Sequence, residues 1–305
     1  MPRFDVFSAV RCALGEGPVW DPSRKTLFWV DIHRGTVHSR VYPDGSGKSW
    51  QVGGNPSAAI VSASNELIVP SGRLVLRFDP NHGGFRPVLE LSSEPDQNRA
   101  NDAKCGPDGR LWLGTMDRTE TASTGRLWRF DADGNGTVVR SGIGIPNTLA
   151  WDTDRRRFYF ADSLLGDMYV FDYSPESAAI SNERVFFAKE LADGVPDGSA
   201  IDEEGCLWNA RWDGGCVIRI SPDGDLEERI ELPLQRPTSC AFGGQDMRTL
   251  FVTSASVDDT EAERLDGMVL MIRVDVRGVP VPPCRLNLDR PAASSASASG
   301  SSNHV

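Results

Sequence analysis

A short apolar run followed by a glycine-led run recurs six times along this chain, as in "GRLWLG" and then "GRLWRFD". The first runs begin at Leu27, Leu67, Leu111, Phe158, Leu207 and Leu250, so the differences between successive starts are 40, 44, 47, 49 and 43 residues. The second runs open at Gly35, Gly72, Gly125, Gly166, Gly215 and Gly267. A period of roughly 40 to 50 residues built from short strands and turns marks a β-propeller with one four-stranded sheet per repeat. Six repeats predict an all-β, six-bladed propeller with antiparallel blades around a central channel.

Repeat architectures of 305 residues close as one unit, so a single domain is expected over residues 1–290. From Pro291 onward "PAASSASASGSSNHV" is small and polar and cannot bury a core; residues 291–305 read as a disordered tail. The last strand is expected to end near Leu288. The opening segment "RFDVFSAV" reads as a strand that pairs with the sixth blade and ties the two termini together.

A net charge of −11 and a pI near 4.9 argue against nucleic acid or an anionic membrane as partner. There is no long apolar run, and "MPRFDVFSAV" lacks the layout of a secretion signal, so a soluble, cytoplasmic monomer is expected. The cysteines Cys12, Cys105, Cys206, Cys216, Cys240 and Cys284 are scattered singly and read as small buried hydrophobes. His33, His38, His82 and His304 show no metal-ligand spacing, and surface or loop positions are expected for them.

Turn punctuation such as "DPSRK", "GPDGR", "DTDRRR" and "DEEG" precedes the first runs, and its aspartates read as hairpin-turn residues. Trp20, Trp29, Trp112, Trp128, Trp151 and Trp208 recur at corresponding positions and are expected to pack between blades. Two repeats carry longer inserts, "TMDRTETASTGR" and "TSASVDDTEAERLDG", of the kind that can cover a binding site.

About ten or eleven positions before the first runs lie unusual polar residues: Glu16 in "LGEGPVW", Arg99 (twelve before) and Asn101 in "NRANDAKC", Asn147 in "GIPNTLAW" and Asp197 in "VPDGSAID". The segment entering each blade forms its innermost strand, so equal phase places residues distant in sequence around one axial cavity. Two carboxylates and a carboxamide without histidine form an oxygen-only set, suited to a divalent cation completed by water. Singly, Asn147 and Asp197 also read as turn residues; Glu16, a carboxylate beside the apolar "PVW", costs free energy unless it is paired or metal-bound.

The motifs "LGEGPVW", "NRANDAK" with "GRLWLGTMD", "GIPNTLAW", "FYFADS" and "PDGSAID" together resemble the senescence marker protein 30, gluconolactonase and luciferin-regenerating enzyme family, in order from about Leu14 to Asp275. The resemblance implies one divalent metal in the channel and hydrolysis of a sugar lactone. It makes Glu16, Asn147 and Asp197 the metal ligands, with Asp197 also the general acid or base. Arg99 and Asn101 would bind substrate hydroxyls, and the stretch after "GTM" offers Asp117 or Glu120 as an acidic substrate-binding residue. Oxygen ligands leave calcium, zinc, manganese, magnesium and ferrous iron open.

A serine-nucleophile mechanism lacks its "GxSxG" turn and an identifiable base, and a glycosidase pair would need acids not committed to metal. Metal-assisted ester hydrolysis fits the available parts. Two further readings use the same ligands: a phosphotriesterase or broad esterase, and a non-catalytic calcium-binding propeller.

Overall fold

The apolar runs that set the repeat become second strands of four-stranded antiparallel sheets. Every residue of Thr26–Asp31, Leu111–Asp117 and Thr249–Ser254 is buried. A strand buried on both faces needs cover from both sides, and the neighbouring sheets supply it. The computed structural model describes residues 4–256, 265–289 and 293–294, and within them the chain is a six-bladed β-propeller.

Blade 1 comprises Gly15–Asp21, Thr26–Asp31, Thr36–Val41 and Gly47–Gln51. Blade 2 comprises Ile60–Val61, Leu67–Ser71, Leu74–Phe78 and Phe85–Glu90. Blade 3 is Asn98–Cys105, Leu111–Asp117, Gly125–Phe130 and Gly136–Ile143, and blade 4 is Pro146–Asp152, Arg157–Asp162, Met168–Ser174 and Ala179–Phe187. Blade 5 holds Val195–Ile201, Leu207–Trp212, Cys216–Ile220 and Leu226–Glu231. Blade 6 takes Pro237–Gly243, Thr249–Ser254 and Val269–Arg273 from the C-terminal half, and its outer strand is Phe4–Ser8. That last pairing, Phe4 opposite Ile272 and Val6 opposite Leu270, closes the ring as the sequence predicts.

The six recurring tryptophans, Trp20, Trp29, Trp112, Trp128, Trp151 and Trp208, are all buried, and several pack across blade junctions as expected. Trp112 of blade 3 meets Trp151 of blade 4 edge-on at 5.5 Å, and Trp20 of blade 1 stacks on Phe251 of blade 6 at 5.8 Å. The turn aspartates also behave as read: Asp21, Asp152 and Asp202 each accept backbone N–H groups from their own turns. All six cysteines are buried and unpaired. Among the described residues no helix is long and apolar enough to cross a membrane.

Three expectations need correction or restriction. His38 is not a surface residue but lies buried in the third strand of blade 1, because the strand's alternation turns it inward beside Trp29, which stacks on it at 5.4 Å. The strands of blade 6 end at Arg273 rather than near Leu288. Beyond Arg273 the chain runs as an extended strap whose backbone N–H groups at Val279, Cys284, Arg285 and Asn287 donate to Ile201, Val61, Gly109 and Ala132. These acceptors lie at or after the ends of first strands in blades 5, 2 and 3 and beyond the third strand of blade 3, so the strap crosses one end of the ring. Of the segment read as a tail, only Ala293–Ser294 is described, its backbone parallel to Leu89 and Glu90; the remainder lies outside the described residues, as do residues 257–264 of the sixth-repeat insert.

Phe158 is fully buried at the junction of blades 3 and 4, with ring centroids 5.1 Å from Trp112 and 5.0 Å from Trp151. Phe158→Ala is expected to destabilise the fold by about 3–5 kcal/mol, read as a lowered urea midpoint at unchanged slope. Leu226→Ala, at a 43% exposed position, is expected to stay within about 0.5 kcal/mol.

Candidate active site

The ladder between first and second strands breaks register at one phase of the repeat. The shifts fall between Glu16 and Val19, Ala100 and Ala103, Asn147 and Ala150, and Pro196 and Ser199. A bulge at that point re-aims side chains that a regular pleat would send into the blade interfaces. Glu16, Asn101, Asn147 and Asp197 all sit in these bulges. Glycine makes two of them possible. Gly17 has φ +53°, and a Cβ there would lie 2.4 Å from the Ala58 Cα; one on Gly198 would lie 2.0 Å from Ser239 Oγ.

The structure brings the residues singled out in blades 3 and 4 into one hydrogen-bonded chain that reaches the main chain of blade 5 beside Asp197. Arg99 Nη1 donates to Asn101 Oδ1 at 2.9 Å, and Asn101 Nδ2 donates to Asn147 Oδ1 at 3.3 Å and to the Pro146 carbonyl at 3.1 Å. Asn147 Nδ2 donates to Ser163 Oγ at 2.8 Å, and Ser163 in turn donates to the Pro196 carbonyl at 2.6 Å, next to Asp197. These bonds fix Asn147 with its amide nitrogen turned to Ser163 and its carbonyl oxygen toward Asn101. Beneath Asp197, Thr148 Oγ1 and Asn209 Nδ2 both donate to its main-chain carbonyl, at 2.6 and 2.9 Å.

Glu16 faces Asp197 across the ring. Burial pushes the Glu16 carboxyl up to about 8; the Gly17 N–H, 3.0 Å from Oε2, and the Arg99 charge work against that rise, while Asp102 adds to it. Burial, then the charges of Glu16 and Asp102, drive Asp197 well above the usual carboxylate range. Asp197 Oδ1 is buried with no hydrogen-bond partner. Lone pairs left unmatched in this way are costly. Three carboxyl groups therefore crowd a low-dielectric space in which Lys104 is committed to the Ser199 carbonyl at 2.6 Å. An oxygen-only donor set with an orphaned carboxylate oxygen fits a hard divalent cation, which would let both facing carboxyls ionise.

The two candidates after "GTM" part company. Asp117 folds back on its own loop, accepting from Thr119, Thr121 and Ala122, and these hydrogen bonds lower its carboxyl to about 2. Its oxygens are spent on the turn. Glu120 stays exposed with φ +59°, and its charge is the leading electrostatic support for the guanidinium of Arg99, which burial otherwise depresses.

Sequence reasoning missed Asp102, whose half-buried carboxyl is raised by desolvation against the pull of Lys104 and accepts the Leu149 N–H at 3.2 Å. Its signal was a charge one residue beyond the shared phase, where blades 1, 4 and 5 carry Gly17, Thr148 and Gly198. Thr148, Ser163 and Asn209, which hold Asn147 and the main chain at Asp197 in place, gave no signal of spacing at all.

Comparison with known proteins places these observations. The sequence profile described as the SMP-30/Gluconolactonase/LRE-like region matches residues 14–256. The chain is 38% identical over 250 residues to a pentonolactonase of Haloferax volcanii, covering 81% of this chain and 83% of that one. It is 32% identical over 273 residues to a 6-deoxy-6-sulfogluconolactonase of Pseudomonas putida, covering 88% and 94%. The crystal structure of the calcium-binding protein regucalcin from Agrobacterium tumefaciens superposes with a TM-score of 0.88 at 29% identity, covering 93% of this chain and 98% of that one. By sequence and by fold, the chain belongs to the SMP-30/gluconolactonase/LRE-like family.

Proposed function

We propose that this protein hydrolyses a sugar lactone to its aldonic acid at a divalent cation held by Glu16, Asn147 and Asp197. The observation that carries the reading is the half-buried Glu16 carboxyl facing the buried Asp197 carboxyl, which has an oxygen lacking any partner, beside a carboxamide oxygen. Similarity to a pentonolactonase and a sulfogluconolactonase supports the substrate class. Once bound, a dication supplies polarisation of the lactone carbonyl and a lowered pKa for water.

The chain's own residues supply the rest. Asp197 takes the proton from the attacking water and returns it to the ring oxygen as the acyl C–O bond breaks, so that one water is added and no proton is lost. Arg99 and Asn101 orient substrate hydroxyls; among the described residues Arg99 Nε and Nη2 donate no hydrogen bond, which leaves those donors for the sugar. Glu120, exposed and coupled to Arg99, accepts from a hydroxyl. The likeness to a calcium-binding regucalcin favours one second reading, in which the same residues bind calcium without turnover.

Metal-stripped protein supplied in turn with calcium, zinc, manganese, magnesium or ferrous iron is expected to release acid from an aldonolactone with at least one cation, followed with a pH indicator. Acid release from none of them, despite cation binding, would leave the calcium-binding reading. Asp197→Asn is expected to lower kcat by about 10²-fold or more; near wild-type turnover would remove Asp197 from the proton transfer. Arg99→Ala is expected to raise KM about tenfold and to lower kcat by less than that.

The raised carboxyls also set a pH dependence. A carboxyl whose folded pKa lies above its unfolded value stabilises the native state at low pH and loses that contribution as pH rises. For Glu16 the window runs from about 4.5 to about 8. The metal-free protein should therefore lose thermal stability across that window relative to the Glu16→Gln variant, and a bound cation should abolish the difference. Equal slopes for both metal-free proteins would show that Glu16 titrates normally.

A further inference from the structure

A second cluster with metal-binding chemistry lies away from the channel carboxylates, under the seam where the ring closes. Cys12, from the loop joining the outer strand of blade 6 to blade 1, meets Asp31 and His38 of blade 1. One ligand atom from each lies within 4.8 Å of the other two, and all three residues are buried. We propose that Cys12, Asp31 and His38 form a zinc site, its fourth position completed by water, that fastens the closing loop to blade 1.

The ligand types suit zinc, which combines thiolate, imidazole and carboxylate at about 2.0–2.3 Å. Thiolate and carboxylate together neutralise a dication, so the loaded site carries no net charge into the core. Binding displaces one proton, from the Cys12 thiol. In the absence of a cation that thiol stays protonated, since burial and the neighbouring Asp31 push it up to about 12. His38 Nδ1 is engaged with Ser49 Oγ at 2.8 Å, which orients the ring and leaves Nε2 to ligate. Burial lowers the imidazole's pKa and keeps it in the neutral form a metal requires.

The Trp29 indole N–H is buried without a hydrogen-bond partner, as are those of Trp20, Trp112 and Trp151, but it alone has the Cys12 sulfur beside it, where it favours the thiolate. A zinc-bound sulfur would satisfy this orphaned donor. Space for the sulfur comes from Gly15, where a Cβ would stand 3.1 Å from Cys12 Cβ and 2.8 Å from the Ser254 carbonyl.

Blade 4 provides an internal control. Asp162 occupies the position of Asp31, four residues into the second-strand run, and accepts the Gly144 and Ile145 N–H groups as Asp31 accepts those of Ala13 and Leu14. There the counterparts of Cys12 and His38 are Ile143 and Tyr169. The carboxylate's turn-holding role thus needs neither a thiol nor an imidazole, and only blade 1 adds both. The competing cation is Arg34, 3.8 Å from Asp31 Oδ2, but its side chain is 59% exposed and can swing clear.

Cobalt(II) distinguishes this site from the channel, because only a thiolate ligand gives a near-ultraviolet sulfur-to-cobalt charge-transfer band and the channel set is all oxygen. The reduced, metal-stripped full-length chain titrated with cobalt(II) is expected to develop that band, saturating by two equivalents per chain in the wild type and at one equivalent in the Glu16→Gln/Asp197→Asn double variant. The band should vanish in Cys12→Ser, weaken in His38→Gln and persist in the Glu16→Gln/Asp197→Asn double variant. Zinc at a hundredfold excess over Kd should raise the melting temperature of the double variant by roughly 5 °C. No band in the wild-type chain, or a band unchanged in both Cys12→Ser and His38→Gln, overturns the proposal. If Cys12→Ser does not fold, as judged by circular dichroism, His38→Gln decides alone. Loss of the band in the double variant would instead assign the signal to the channel.

Discussion

The antiparallel pairing of Phe4–Ser8 with Val269–Arg273 turns a row of six sheets into a ring, and the remaining geometry depends on it. A row would leave the edge of Val269–Arg273 unpaired and the apolar sheet faces at its two ends without cover. Closure removes both, and it also decides where the first strands point. With the ring shut, the first strands of blades 1, 3, 4 and 5 surround one axis, so side chains from residue 16 to residue 197 can meet. The aromatic contacts at the seam, with Phe7 at 4.7 Å and Trp20 at 5.8 Å from Phe251, supply the burial that holds the closing strand in place.

What the ring confines is chemically expensive. Glu16, Asp197 and Asp102 face one another where water is scarce, and each carboxyl is held above its ordinary range by burial. Proteins seldom retain such an arrangement for stability alone, since neutral side chains would pack at lower cost. The surrounding hydrogen bonds are spent on orientation: Ser163 and Asn101 on Asn147, Thr148 and Asn209 on the main chain at Asp197. The carboxyl oxygen most in need of a partner, Asp197 Oδ1, is the one left without any.

Much of this was legible in the chain. The second strands are nearly all apolar because both their faces are covered, so their spacing counts blades directly. The shared phase of Glu16, Asn101, Asn147 and Asp197 survives because each first strand bulges at the same step. Asp102 was harder to see: the bulge turns two successive residues toward the site, and a period-based reading selects only one. His38 was hidden by a different effect, since its companion Cys12 belongs to the preceding loop and no sequence spacing links a loop to a strand of the next sheet. Asp117 and Glu120 could be separated only by the loop's own hydrogen bonds, which consume the first and leave the second outward. The strap after Arg273 carries no alternation because it bonds to the strand ends and turns of three blades in succession rather than along one strand.

That strap bears on rigidity. A ring of six wedges held together only at adjacent faces can ovalise, each seam slipping slightly while none opens. A chord tied to blade 5 at Ile201 and to blades 2 and 3 at Val61, Gly109 and Ala132 joins wedges that are not neighbours and resists that distortion. Cys284, Leu286 and Leu288 anchor it in the hydrophobic cluster shared by blades 2 and 3. The chord spans the end of the ring opposite the bulges, so it braces the frame without entering the cavity. Separations among oxygens borne on blades 1, 4 and 5 are thereby set by a part of the chain that touches none of them.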